Sequence, residues 1–304
     1  MANVVELFDK KINFKDNICT SQYGELKIGK NMRYNLYISI TDVCLASCPF
    51  CNNNTVKKTT VTETKFDLEK LEMVLKELIS KRLLNRIGIT GGEPLLNLPL
   101  LNEVLNLVYK ICGDRQIVTI NTNGVNLERL FELDCIEKVY GVHISRHHYD
   151  DEINNSIFGF KTANLEEIKE VIKKSKNKQL IRLNSLIIKG LIDTPEEVQK
   201  YLEMAGNVGV FRVGFVGLMP LNDYSKEHFI EYKTVFEKLS SSVTVKKFYN
   251  SDVCDCINGM YMHTNGELIE FYARNVRNLC PKTVGQLSYT ADNKLCAGFN
   301  NQII

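Results

Sequence analysis

Three cysteines near the front of the chain have a spacing that suits a metal cluster. Cys44, Cys48 and Cys51 form a CxxxCxxC pattern within the stretch TDVCLASCPFC. Spacings of three and two residues let a short loop turn so that three sulfur atoms point at one centre, as iron-sulfur clusters and zinc both require. Zinc normally needs a fourth Cys or His ligand nearby, and the next histidine is His143. The missing ligand therefore favours an iron-sulfur cluster with one iron that no protein side chain binds.

The second motif that could take part in chemistry is a glycine-rich stretch, TGGEP, at Thr90 to Pro94. Gly91 and Gly92 permit close approach of the backbone to another group, and Glu93 can neutralise an ammonium group. Alone, this stretch would be interpreted as a turn with a surface carboxylate. Its place directly after a strand candidate, together with the cysteine pattern, favours ligand binding.

The elements that position both motifs follow an alternating pattern. Apolar strand-like runs alternate with amphipathic helical patterns from residue 35 to about residue 240, which is typical of βα units and a parallel sheet. The six runs begin at Leu36, Arg86, Ile117, Lys138, Leu180 and Val210. A complete eight-unit barrel needs about 250 residues, more than this region offers. The sequence therefore predicts an α/β fold built as a partial (β/α)6 TIM-like barrel.

The pattern also predicts boundaries. An N-terminal segment covers residues 1–33, the barrel 34–240, and a C-terminal extension 241–304, in which Asn265 and Gly266 predict a hairpin turn. Within the barrel, Thr194 and Pro195 predict the start of a helix, and Gly206 is expected to end it.

Composition excludes several classes of partner. The chain has 304 residues and a net charge of +2, and its Lys and Arg residues are spread along it, so no nucleic-acid or membrane-surface footprint is predicted. No apolar run approaches the roughly 20 residues that a membrane span requires, and the N-terminus has no signal core. We expect a soluble cytoplasmic protein that binds neither nucleic acid nor membrane.

The two motifs together resemble those of a known superfamily. The CxxxCxxC pattern with aromatic Phe50 before its last cysteine, followed one βα unit later by GGEP, resembles the radical S-adenosylmethionine (SAM) superfamily. The resemblance implies that Cys44, Cys48 and Cys51 bind a 4Fe-4S cluster and that SAM chelates its fourth iron. It also implies that Phe50 lies in the cofactor site and that the glycine-rich stretch contacts the methionine amino group.

The chemistry that this resemblance implies is reductive and oxygen-sensitive. An external one-electron donor of the flavodoxin or ferredoxin type reduces the cluster, and SAM is cleaved to methionine and a 5′-deoxyadenosyl radical. That radical abstracts hydrogen from a substrate C–H bond, so the site must exclude water and competing donors.

Within the superfamily, residues 34 to 225 most resemble the GTP 3′,8-cyclase branch. The matching pieces include ITGGEPLLN, INTNG and IRLNSLIIKG. By this resemblance Thr122, Ser145 and Asn184 are candidates to bind the ribose or carboxylate of SAM. Arg182, within the fifth strand candidate, is expected to point into the barrel, where an unpaired charge is costly, so its expected partner is the SAM carboxylate, a substrate anion or a neighbouring acid. The alternative is that Thr122, Ser145 and Asn184 are polar strand-end residues that satisfy backbone groups.

The C-terminal cysteines depart from the cyclase pattern. Cys254 and Cys256 form a CxC instead of a CxxC, and the chain ends in NNQII instead of a Gly-Gly tail, so GTP cyclisation is not expected. Together with Cys280 and Cys296 they could hold an auxiliary iron-sulfur cluster like that of twitch or SPASM extensions. Zinc ligation or unligated thiols are the alternatives.

The stretch SRHHYDDE follows the fourth strand candidate, where side chains face a substrate in this fold. Arg146, His147 and Tyr149 are therefore candidate catalytic residues, able to bind an anion, move a proton or donate a hydrogen atom. A solvated loop with a structural histidine is the alternative.

Four functional hypotheses follow. The first is a radical SAM enzyme acting on a small molecule, such as a nucleotide or an amino-acid-derived metabolite, because few residues precede the first barrel strand and a leader-binding domain is not expected. The second is a maturase that cyclises, epimerises or crosslinks a short ribosomally made peptide. The third is a non-catalytic iron-sulfur electron carrier or sensor, and the fourth a zinc-stabilised binding module.

Overall fold

The computed structural model describes residues 3–14, 34–51, 56–57, 65–231, 234–235, 243–244, 259–264, 266–272, 286–297 and 301–304. The strands within these ranges, in chain order, are β1 (Asn3–Leu7), β2 (Lys10–Phe14), β3 (Tyr34–Ser39), β4 (Val43–Cys44), β5 (Val56–Lys57), β6 (Leu84–Thr90), β7 (Ile117–Thr122), β8 (Gly141–Ser145), β9 (Ile181–Ile187), β10 (Arg212–Gly217), β11 (Val243–Thr244), β12 (Gly259–His263), β13 (Leu268–Tyr272), β14 (Gln286–Tyr289), β15 (Leu295–Ala297) and β16 (Asn301–Gln302).

The helices lie mainly between the strands of the predicted barrel. They are α1 (Leu68–Ser80), α2 (Leu98–Cys112), α3 (Asp151–Phe158), α4 (Leu165–Lys174), α5 (Pro195–Val208) and α6 (Asp223–Glu227). Short 3-10 helices cover Pro94–Asn97, Leu127–Glu132 and Ile136–Lys138, and the last two replace an α-helix between β7 and β8. None of the helices described has an apolar stretch of the length that a bilayer crossing requires.

The six predicted strands form the centre of a twelve-stranded sheet. Strands β3, β6, β7, β8, β9 and β10 are consecutive neighbours, and each pairs parallel to the next. Apolar residues on their outer faces pack against the helices in one large core. This arrangement confirms the α/β fold and the six-unit partial barrel.

The C-terminal strands extend both edges of this sheet. Strand β13 pairs parallel to β10 and antiparallel to β12, whereas β14 pairs parallel to β3 and antiparallel to β15. The β12–β13 hairpin has the predicted turn glycine, Gly266, at a positive φ of 90°. The described strands of the extension from residue 241 onward thus continue the barrel sheet.

Helix α5 begins as predicted and ends later. The Thr194 side chain accepts a hydrogen bond from the Glu197 backbone N–H, and Pro195 is the first helical residue. The expected end at Gly206 is wrong, because Val208 continues the buried face of the helix and Gly209 ends it at a positive φ of 89°.

Charged side chains line the inner face of the barrel. The Arg86 guanidinium donates a hydrogen bond to the Tyr37 hydroxyl across β6 and β3, at 3.2 Å. Burial lowers the pKa of His143 well below its ordinary value, and Arg182, Arg86 and Arg212 lower it further. These arginines come from β9, β6 and β10, which lie within two strands of the β8 strand that carries His143.

Candidate functional site

The predicted cysteine loop follows β3, at the end of the barrel where parallel strands present functional groups. Cys44 is buried, Cys48 half-buried and Cys51 exposed. The loop is held by hydrogen bonds from the Cys51 backbone N–H to the Cys48 carbonyl and from the Ser47 N–H to the Phe158 carbonyl. Burial raises the pKa of Cys44, and burial with the nearby Cys51 and Cys44 raises the pKa of Cys48 to about 12.

These three thiols fit an iron-sulfur cluster. The electrostatic influence of Cys51 on both Cys44 and Cys48 places the three in one neighbourhood. Cysteine thiolates are the usual protein ligands of a four-iron cluster, and three of them leave one iron without a protein ligand. Zinc would need a fourth side chain. The donor set therefore favours the cluster over the zinc alternative.

The glycine-rich loop packs directly on the backbone that leads into Cys44. The Gly92 N–H donates to the Thr41 carbonyl at 2.6 Å, and the Glu93 N–H donates to the Val43 carbonyl at 2.8 Å. A Cβ atom on Gly92 would lie 2.2 Å from the Val43 carbonyl oxygen. Gly91 has a φ of 144°, and its Cβ would lie 2.4 Å from the Thr41 carbonyl oxygen. The glycines thus permit two backbone segments to touch, which a side chain would prevent.

Glu93 is fully buried, and its carboxylate binds donors of the chain itself. One oxygen accepts hydrogen bonds from the Thr122 hydroxyl at 2.6 Å and from the Leu95 N–H at 3.0 Å. The other accepts from the Asn123 N–H at 2.6 Å. These bonds fill three of about four acceptor positions of a carboxylate. The observed role is to join the loops after β6 and β7, and the contact with the SAM ammonium stays a prediction.

The buried Glu93 carboxyl predicts a pH-dependent stability. Burial raises its pKa to about 7, although the donors from Asn123, Thr122 and Leu95 oppose the shift. The folded state therefore binds this proton more tightly than the unfolded state, and the stabilisation is full below about pH 4 and lost as pH rises through 7. We expect the free energy of unfolding to fall by about 3 kcal/mol over that interval. Urea unfolding at several pH values measures this.

The control for this prediction is Glu93→Gln, which cannot ionise and keeps nearly the same volume. Its free energy of unfolding should not show the decrease with rising pH that is assigned to Glu93. If the variant shows the same pH dependence as the parent, other groups cause that decrease.

Phe50 connects the cysteine loop to the candidate residue His147. Their rings meet edge to face with centroids 5.0 Å apart, and His147 also stacks on Phe158 at 5.0 Å. The Leu186 N–H donates to Nδ1 of His147 at 3.2 Å, and burial lowers the pKa of the imidazole to about 3. His147 is thus a neutral, fixed ring at neutral pH, a state that suits packing or hydrogen-bond donation better than proton storage.

The contacts of Arg146 and Tyr149 differ from those expected of catalytic residues. The buried Arg146 guanidinium forms an ion pair with Asp151 at 2.8 Å and donates to the Tyr149 carbonyl at 3.2 Å. The Tyr149 hydroxyl bonds Glu197, and its ring lies under Lys200 on helix α5. Both side chains therefore join the loop after β8 to neighbouring helices, which favours the structural alternative for them.

Ser145, Asn184 and Arg182 lie together on the inner face of β8 and β9. Ser145 and Asn184 are register partners, and the Asn184 side-chain oxygen accepts from Arg182 Nε at 2.9 Å. The Arg182 guanidinium forms a buried ion pair with Glu270 of β13. Of the three partners expected for Arg182, the neighbouring acid is the one observed, and binding of SAM by these residues stays a prediction.

The proposed auxiliary cluster concerns four C-terminal cysteines. Cys254, Cys256 and Cys280 lie outside the described residues. Cys296 lies buried on β15, where burial raises the pKa of its thiol. The second cluster stays a prediction.

Sequence reasoning passed over two residues that the structure brings into the site and the barrel. Asn123, the fourth residue of INTNG and the one directly before its glycine, places its amide against Cys44 at 3.7 Å. Glu270 neutralises the barrel arginines. Glu270 stands between the core residues Ile269 and Phe271, and successive strand residues face opposite sides of a sheet, so this alternation was a usable signal for an inward-facing position.

Comparisons with known proteins agree with this arrangement. The family model described as Radical SAM superfamily matches residues 38–205, more than half of the chain. The chain is 26% identical over 235 residues to a GTP 3′,8-cyclase of Clostridium acetobutylicum, covering 74% of this chain and 69% of the cyclase. It is 30% identical over 182 residues to a GTP 3′,8-cyclase of Aquifex aeolicus, covering 58% of this chain and 53% of that protein.

A solved structure shares the fold at low sequence identity. Streptococcus suis SuiB bound to S-adenosylmethionine superposes with a TM-score of 0.57 at 13% identity, covering 87% of this chain and 60% of SuiB. At that identity the likeness concerns the architecture alone.

Proposed function

Since this chain belongs to the radical SAM superfamily, we propose that it binds a 4Fe-4S cluster through Cys44, Cys48 and Cys51, with SAM at the remaining iron. The observation that carries this proposal is the direct contact between the two motifs, in which Gly92 and Glu93 bond the backbone that leads into Cys44. A group held by the cysteine loop therefore lies beside the glycine loop. An electron carrier has no need of that second loop.

The residues of this chain would hold and shield the two cofactors. When bound, the cluster would pass one electron from an external donor to SAM, whose cleavage gives methionine and a 5′-deoxyadenosyl radical able to abstract hydrogen. Phe50 packs with Ile188 and Leu218 in an apolar cluster beside the cysteine loop. Such a surface excludes water from one side of the site, which protects a reactive species from quenching.

We propose a small-molecule substrate, of nucleotide or amino-acid-derived type. The relatives that align with the greater part of this chain are named for a reaction of a nucleotide. GTP itself is not proposed, because the C-terminal cysteine pattern departs from that of the cyclases. Peptide maturation is the competing hypothesis, and the two classes of substrate can be separated by their molecular size.

The test of the activity is anaerobic reconstitution followed by dithionite and SAM. We expect 5′-deoxyadenosine from the parent protein and only the protein-free background from Cys44→Ala. Cys112→Ala is the matched control, because Cys112 lies at the end of α2 and outside the cysteine loop. A parent protein that forms none, even with cell extract added, would contradict the proposal and leave the carrier hypothesis.

The substrate class is tested with extract from cells grown in deuterated medium. Deuterium transferred into 5′-deoxyadenosine marks the substrate, and ultrafiltration separates metabolites from larger peptides. We expect the label from the filtrate. Label that arises from the retained fraction alone would assign the enzyme to peptide maturation.

A further inference from the structure

The loop after β7 aims a side-chain amide at one of the cluster cysteines. The Asn123 Nδ2 lies 3.7 Å from the Cys44 Sγ and donates a hydrogen bond to it, and both residues are buried. We propose that Asn123 is a positioning residue that sets the reduction potential of the cluster, an inference that rests on the proposed cluster at Cys44.

The orientation of this amide is fixed by the chain around it. The Asn123 side-chain oxygen accepts a hydrogen bond from the Val125 N–H at 3.0 Å, which leaves the amide N–H groups to face the sulfur. The Asn123 backbone N–H donates to Glu93 at 2.6 Å. Gly124 follows with a φ of 89°, and its Cβ position lies 3.1 Å from the Ala163 side chain, so the turn is closely packed. The donor is therefore held in place before any cluster binds.

Hydrogen bonds to cluster sulfurs are one of the means by which a protein sets a cluster potential. Reduction adds one electron to the cluster and increases the negative charge on its thiolate ligands. A fixed N–H donor stabilises that added charge more than it stabilises the oxidised cluster. Asn123 therefore raises the potential and makes the cluster easier for an external one-electron donor to reduce.

This arrangement also connects the glycine-rich motif to the cluster. The path runs from the Glu93 carboxylate to the Asn123 backbone, and from the Asn123 amide to the Cys44 sulfur. Glu93 therefore helps to hold Asn123 in place beside the Cys44 sulfur.

The test is a redox titration of the reconstituted protein without SAM, followed by electron paramagnetic resonance of the reduced cluster. Asn123→Asp keeps the shape and the acceptor for the Val125 N–H but removes the donor, and Asn123→Ala removes the whole amide. We expect both variants to shift the oxidised-to-reduced ratio at a given potential by about tenfold, which is a fall of about 59 mV for a one-electron couple. The reduction potential of Asn123→Asp, which adds a negative charge, should fall by at least as much.

Asn121→Ala is the matched control, because Asn121 lies two residues earlier, on β7, and its amide donates to the Ile89 carbonyl at 3.4 Å instead of to a cysteine. Its potential should equal that of the parent. If the Asn123 variants bind the cluster and have the same reduction potential as the parent, the inference is overturned. Failure of both variants to bind iron, while Asn121→Ala binds it, would also overturn it by assigning Asn123 a purely structural role. A parent that binds no cluster would instead overturn the proposed function.

Discussion

Gly92→Ala is expected to weaken SAM binding and cluster loading together. The added Cβ would lie 2.2 Å from the Val43 carbonyl oxygen and 2.5 Å from the Val43 carbonyl carbon. Both are backbone atoms, which have no rotamer to change, so the segment leading into Cys44 must move. Forcing a methyl group into a packed site costs about 1–3 kcal/mol. A cost of that size on the ligand-competent state corresponds to about 5- to 150-fold weaker binding.

The measurement is calorimetric titration of SAM into anaerobically reconstituted protein, with iron content measured on the same samples. Gly141→Ala is the matched control, since its Cβ would meet atoms of His143 and Leu180 at ordinary contact distances of 3.4 to 3.6 Å. That variant should bind SAM as the parent does. Parent-like SAM affinity in Gly92→Ala would contradict the contact between the two loops.

Glu270→Ala is expected to cause a large loss of stability. The Glu270 carboxylate forms a buried ion pair with Arg182 and lies 3.7 Å from the Arg212 guanidinium. All three side chains are at most 5% exposed, so removing the acid leaves buried positive charge without this partner. Breaking one side of a buried pair costs about 3–5 kcal/mol. Because Glu270 comes from β13, the loss also loosens the C-terminal hairpin from the barrel.

Urea unfolding compares this variant with Glu132→Ala, which removes an exposed ion pair with Arg129. The exposed pair should contribute about 0–1 kcal/mol. Replacing Arg182 and Glu270 together by Met should recover part of the loss, because the buried Arg182 charge is then removed with its partner and only Arg212 loses its acid. Equal effects of Glu270→Ala and Glu132→Ala would contradict the buried pair.

The fold and the cofactor motifs were predictable because their signals are local. The cysteine spacing, the two glycines and the six apolar runs each lie within a few residues, and the strand Ile117–Thr122 has the bounds that the sequence indicates. Parallel strands bring their ends to one edge of a barrel, so the two motifs could be placed near each other before any contact was known.

The partners of individual side chains depend on contacts far along the chain and were not predictable. Arg182 contacts Glu270 only because β13 pairs with β10, and no local sequence pattern predicts that pairing. Arg146 is a different case: it follows a strand end as a catalytic group would, but Asp151 at the start of α3 and the Tyr149 carbonyl bind it. A position at the end of a strand thus predicts the neighbourhood of a residue and not its partner.

Electron paramagnetic resonance of the dithionite-reduced cluster, with and without SAM, tests the central claim most directly. If Cys44, Cys48 and Cys51 leave one iron for SAM, saturating SAM must change the g values of the reduced cluster in the parent. In Gly92→Ala the same SAM concentration should change them less. A reduced parent cluster whose spectrum is identical with and without saturating SAM would contradict the account, because its fourth iron would then be closed to SAM.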